Sequence, residues 1–117
     1  MSYIDGFVIA VPKANKQAYK DLATKAAAVF KAHGARRVVE CWADDVPHGK
    51  LTDFYMAVKA TEEETVVFSW IEWPSKQARD AGNDASMKDP RMPMDIANLP
   101  FDGKRLIMGG FTTLVDA

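Results

Sequence analysis

The chain has a single cysteine, Cys41, two histidines and no long apolar run. One cysteine excludes an internal disulfide framework and any metal site built from several thiolates, and it suits a reducing, cytoplasmic setting. No stretch approaches the roughly 18 consecutive apolar residues that a membrane span requires, so no membrane association is expected. The opening residues, Met1-Ser2-Tyr3-Ile4-Asp5-Gly6, carry no basic region ahead of an apolar run, and a secretory leader is not expected either. An excess of one charge is missing too: 15 basic residues face 16 acidic ones, for a net charge of −1. That balance argues against nucleic acid as a main partner. Repeats, low-complexity tracts and Gly/Ser- or Pro-rich linkers are also absent, so residues 1–117 read as one domain. What is present is an ordinary share of apolar residues, 48% beside 26% charged, enough to bury roughly two thirds of the unfolded surface at this length.

Alternation from Tyr3 to Val11 predicts a first strand, with Tyr3, Asp5, Phe7, Ile9 and Val11 on one face and Ile4, Gly6, Val8 and Ala10 on the other. Both faces are mostly apolar, which predicts cover on both sides. Pro12 ends the strand. Asn15 then caps a helix through Ala32 or His33, whose buried stripe is Tyr19, Leu22, Ala23, Ala26, Phe30 and His33. Gly34 supplies the left-handed residue that stops it, with His33 in the last turn, where positive charge suits the helix dipole. Arg36 to Asp45 reads as a second strand, with Val39, Cys41 and Ala43 as its core face and Val38, Glu40, Trp42 and Asp44 opposite. After a Pro-Gly loop, Thr52 or Asp53 opens a short helix through Lys59, or the run forms an irregular strand. Glu64–Trp73 is a strand dense in β-formers, and Pro74 stops it. Ser75 caps a helix over Lys76–Lys88, whose apolar residues are Ala78, Ala81, Ala85 and Met87. A long segment, 89–102, leads to a last strand from Lys104 to about Val115, where Gly109-Gly110 predicts a bulge or the close approach of another backbone.

Strand, helix, strand, strand, helix, strand is the split βαβ or ferredoxin-like order, an α+β fold with a four-stranded antiparallel sheet and both helices on one face. Apolar residues on both sides of the strands exceed what two helices can cover. The free face is therefore expected to pack on a second copy, giving a homodimer through the sheet.

Four blocks carry a family resemblance: Tyr3-Ile4-Asp5-Gly6-Phe7-Val8, Glu40-Cys41-Trp42-Ala43-Asp44-Asp45-Val46-Pro47, Phe68-Ser69-Trp70-Ile71-Glu72-Trp73-Pro74-Ser75-Lys76, and Pro100 through Phe111. Across essentially the whole chain they resemble the YbaA-like family of small bacterial proteins, a domain of unknown function. The resemblance implies the dimeric α/β-barrel superfamily, in which two ferredoxin-like protomers pack sheet against sheet. That superfamily includes cofactor-free monooxygenases, haem-binding and haem-degrading enzymes, isomerases and proteins without known chemistry. The family brings no catalytic residues to carry over.

The residues themselves offer several chemistries, each with a plainer alternative. Glu40, Asp44, Asp45 and His48 form the most chemistry-rich run, yet their spacing matches no metal motif, and turn capping outweighs ligation. Asp5 and Glu40 lie among apolar strand residues. Burial would make either a general acid or base, whereas pairing with Arg36, Arg37 or Arg105 across strands would make it structural. Trp42, Trp70, Phe30 and Met94 are the candidate contacts for a flat apolar ligand, and the plainer reading is core or dimer interface. Cys41 reads as a small strand residue, and no cofactor is implied by any motif. The leading expectation is a dimer that binds or converts a small apolar or aromatic metabolite by cofactor-independent oxidation or isomerisation. Its pocket would lie between the sheet, the first helix and segment 89–102, with Glu40, His48 and Asp5 as polar groups. The alternative is a non-catalytic dimeric module without a cavity.

Overall fold

The alternating run at the start of the chain forms β1, Tyr3–Pro12, the central strand to which the rest of the sheet is attached. The computed structural model describes residues 2–93 and 95–117. A short 3-10 turn leads into α1, Lys16–Ala32. Asn15 stands at the N-cap, but its side chain does not cap the helix. Its Nδ2 instead donates to the Pro100 carbonyl at 2.9 Å, tying the start of α1 to the segment that precedes the last strand. Gly34 ends the helix at φ +107°, the left-handed conformation that glycine adopts without penalty. His33 is more than a helix-end residue: its Nε2 lies 2.8 Å from Asp89 Oδ2, joining the ends of the two long helices.

β2 is shorter than expected, Arg37–Trp42. The short apolar run after the loop resolves as one helical turn, α2, Phe54–Ala57, capped by Asp53, which accepts from the Met56 amide at 2.7 Å. β3, Glu64–Trp73, and α3, Lys76–Lys88, have the bounds that the sequence predicts, and Ser75 Oγ accepts from the Ala78 amide at 3.0 Å. β4 spans Ile107–Thr112. Its pairing with β1 runs unbroken from Tyr3↔Thr112 to Val8↔Ile107, so the paired glycines mark no bulge, and the groups that come close to them are side chains rather than another backbone. A Cβ on Gly110 would collide with the Tyr3 hydroxyl and the Arg79 guanidinium.

All pairings are antiparallel in the order β2-β3-β1-β4, the ferredoxin-like arrangement, with α2 as an addition. Ile9, Val11 and Val67 pack under Tyr19 and Ala23 of α1, and Tyr3, Ile71 and Trp73 pack with Phe30, so α1 and α3 share one face. The opposite face is covered at one end only, where α2 and Val58 sit over Ala10 and Val66.

Two expectations are corrected here. In β2 the residues turned toward α1 are Val38, Glu40 and Trp42, while Cys41 is exposed on the opposite side. β2 is an edge strand, so neither of its faces is fully buried and the apolar alternation misidentified the core side. The arginine pairings also differ. Arg105 binds Glu64 with two bonds of 2.7 Å, holding that buried carboxylate down at about 2, and Arg37 lies 3.7 Å from Glu72. Neither reaches Asp5 or Glu40.

α3 meets the sheet through Gly82 and Ser86 rather than through its alanines. Trp73 is 0% exposed, and its ring lies against Gly82; a Cβ at residue 82 would overlap that ring and stand 2.6 Å from the His33 carbonyl oxygen. Gly82→Ala is therefore expected to lose about 2 kcal/mol of stability despite the better helix propensity of alanine, read from the urea midpoint.

Candidate functional site

Between the helix-covered face of the sheet, α1, α3 and the segment leading to β4 lies a cavity of about 390 Å³. It exists because the helices present small groups there. Ala23, Ala26 and Ala27 of α1 and Asn83 of α3 line it, while Leu22, Phe30 and Met87 close its sides. The floor is Phe7, Ile9, Val38 and Ile71, and Met92, Leu99, Phe101 and Leu106 form the cover. Small side chains above a flat strand surface leave the layer under-filled, whereas interiors are normally packed to crystal-like density.

Two carboxylates face this space. The first is Glu40, whose Oε1 accepts from the Tyr19 hydroxyl at 2.6 Å. Glu40 keeps accessible surface because its strand is at the edge, yet α1 crowds the carboxyl enough to raise its pKa. Hydrogen bonds from Tyr19 and Ser69 pull the other way without cancelling the rise. Tyr19 is itself driven far above the usual phenol range, first by burial and then by the neighbouring carboxylate, so it remains a donor. The second group is Asp5, 8% exposed, which accepts from Trp73 Nε1 at 3.0 Å and from Arg79 Nε at 3.0 and 3.2 Å. Arg79 is shared with Asp80 at 2.7 Å and lies over the Tyr3 ring. Glu40 pairs with Ser69 and Ser69 with Phe7, whereas Asp5 pairs with Ile71 one row along. Strand spacing and rise put the two carboxylate positions about 12 Å apart.

Of the residues singled out from the sequence, Glu40, Asp5 and Phe30 come together at this cavity. Trp42 lines the adjoining groove between α1 and β2, where Lys16 Nζ sits 5.3 Å from its ring centre. Trp70 and His48 are not part of the site. Trp70 is on the opposite sheet face, tilted on Phe68, with its indole N–H 3.3 Å from Glu72. His48 is exposed and stacks on Tyr55 of α2 at 4.4 Å, also on that far side, because a chain leaving an edge strand can turn to either face of the sheet. Met94 lies outside the described residues. Asp44 and Asp45 are exposed, and among the described residues no three His, Cys, Asp or Glu side chains converge for a metal ion.

Arg79, Asn83, Ser69 and the hydroxyl of Tyr19 were not anticipated as site groups. A signal existed for the first: Arg79, Gly82 and Ser86 follow the i, i+3, i+7 spacing of one helix face, which an apolar-only search passes over.

The fold and cavity define a class, a βαββαβ protein with a ligand-sized space between helices and sheet. Residues 2–103 match the family described as "Protein of unknown function (DUF1428)", and the chain belongs to that family. It is 61% identical over 116 residues, 99% of each chain, to "Uncharacterized protein YbaA" of Escherichia coli (strain K12), and equally to that protein from Shigella flexneri. The resemblance carried by the four sequence blocks is thereby upheld. Among solved structures, that titled "Structure of Rv0793 from Mycobacterium tuberculosis" matches with a TM-score of 0.54 at 13% identity, over 100% of this chain and 99% of the other. At that identity the likeness speaks for the fold alone.

Because the pKa of Glu40 is raised in the folded protein, the native state keeps a proton that the unfolded chain has released above its ordinary value of 4.5. Stability contributed at this position is thus lost as pH rises through that window. Glu40→Gln should remove this slope, so that the variant gains stability relative to the parent between about pH 4 and about pH 8; equal gaps at both ends in urea titrations would contradict the assignment.

Proposed function

We propose that this protein binds a small, largely apolar or aromatic metabolite in the cavity and acts on it through Glu40. The observation that carries the reading is the cavity itself: its volume falls within the range of small-molecule sites, its lining is mostly apolar, and a carboxyl with a raised pKa faces it. A module without ligand would have its layer filled. Glu40, hydrogen-bonded to Tyr19, is suited to take a proton from an activated C–H and to return it. That step is common to cofactor-independent oxidation and isomerisation, the two chemistries brought by the resemblance. Asp5 orients rather than reacts, because Arg79 and Trp73 occupy its oxygens.

The second part of the proposal is a homodimer through the open sheet face. Ile4, Val8, Phe68, Trp70, Ile107 and Phe111 line a broad apolar hollow there, extended by Leu114 and Val115, which are 91% and 79% exposed. An apolar surface of this extent on a small domain is the mark of an interaction site. Among the described residues no helix is long and apolar enough to cross a membrane, and the exposed, unpaired Cys41 supports a reducing cytoplasmic location.

Thermal-shift measurements against aromatic acids, quinones, flavins, haem and the neutral probe naphthylethanol test the first part. At least one compound is expected to raise the melting temperature by about 4 °C or more near saturation, and Ala27→Phe, which fills the cavity, should abolish that rise. No shift with any of them would refute a ligand site. For the second part, sedimentation at micromolar concentration should give twice the 13.0 kDa chain mass, and Phe111→Lys should return it to one.

A further inference from the structure

The inner cavity and the groove between α1 and β2 adjoin one another along a shared set of side chains. The groove has a volume of about 440 Å³, and Ala23, Ala27, Val38 and Glu40 line both it and the cavity. Tyr19, which bonds Glu40 across the seam from α1 to β2, also faces the groove. The charges in the two parts differ. Inside, among the described residues, the lining cation is Arg79, and its charge is balanced by Asp5 and Asp80, so no uncompensated positive charge is left there for an anion. Outside, Lys16 and Lys20 line the groove, and among the described residues neither is ion-paired. Lys16 lies over the Trp42 ring, which keeps its ammonium at the mouth.

We infer that the natural ligand is a small amphipathic carboxylate whose apolar body enters the cavity past Glu40 while its anionic head stays in the groove on Lys16 and Lys20. The division follows from solvation: an unpaired carboxylate cannot be carried into an apolar space without a compensating cation, whereas the exposed ammonium pair of Lys16 and Lys20 supplies one at the rim. Glu40, at the junction, then stands beside the first carbons after the head, the position at which a carboxylate or its conjugated neighbour is most readily deprotonated.

This inference rests on the cavity being a ligand site, and the test separates the two. Naphthylacetate and its uncharged counterpart naphthylethanol are titrated against the whole protein, with probe fluorescence as the readout. The acid should bind about tenfold more tightly than the alcohol at low salt, and added salt should erase the difference. The double variant Lys16→Met, Lys20→Met keeps the aliphatic stems on the wet face of a helix and removes only the charges. It should abolish the preference for the acid and leave the affinity for the alcohol within about twofold. Binding of both probes with no preference, or a preference that survives in the double variant, overturns the inference and leaves the cavity reading standing. Binding of neither probe overturns both.

Discussion

The indole of Trp73 is buried under α3 with its N–H on the Asp5 carboxylate, and the same carboxylate holds Arg79 from the first turns of that helix. A buried charge is stable only when it is compensated, so Asp5 requires Arg79, and Arg79 reaches it only if α3 lies close on the sheet. Close approach in turn requires Gly82 where the ring passes and Gly110 where the guanidinium and the Tyr3 hydroxyl pass. One carboxylate on the central strand thus sets the seat of α3 and closes one end of the cavity.

The other end is built differently. α1 crosses the sheet on alanines, which keeps the layer open, and the edge strand supplies Glu40 at the point where the opening meets solvent. Both ends of α1 are then tied to the covering segment, at Asn15 with Pro100 and at His33 with Asp89. The result is a space whose floor and walls are apolar, with its polar groups at two separated points. Such a distribution orients a bound molecule without surrounding it with charge.

The elements themselves were legible from local chemistry. Ser75, Asp53, Pro74 and Gly34 mark helix and strand ends by hydrogen bonding or by backbone restriction, and these act within a few residues. Three candidate site residues, Glu40, Asp5 and Phe30, were legible for a similar reason, since a carboxylate in an apolar strand and an aromatic on a buried helix stripe are anomalies or patterns that sequence displays. The misplaced ones have separate causes. For Trp70, period-two alternation says which residues share a face and not which face the helices will cover; His48 lies in the loop beyond an edge strand, which can turn to either side of the sheet.

The sequence by itself therefore determined the βαββαβ order, the caps and breaks, and the surplus of apolar strand residues, because these depend on short-range sterics and on composition. Only the tertiary structure decided that Asp5 answers to Arg79 and Glu40 to Tyr19, which are 74 and 21 residues apart. It also decided that the helix side of the sheet is hollow rather than filled. Those outcomes turn on where small and large side chains meet across elements, a matter of volume and compensation that no local pattern records.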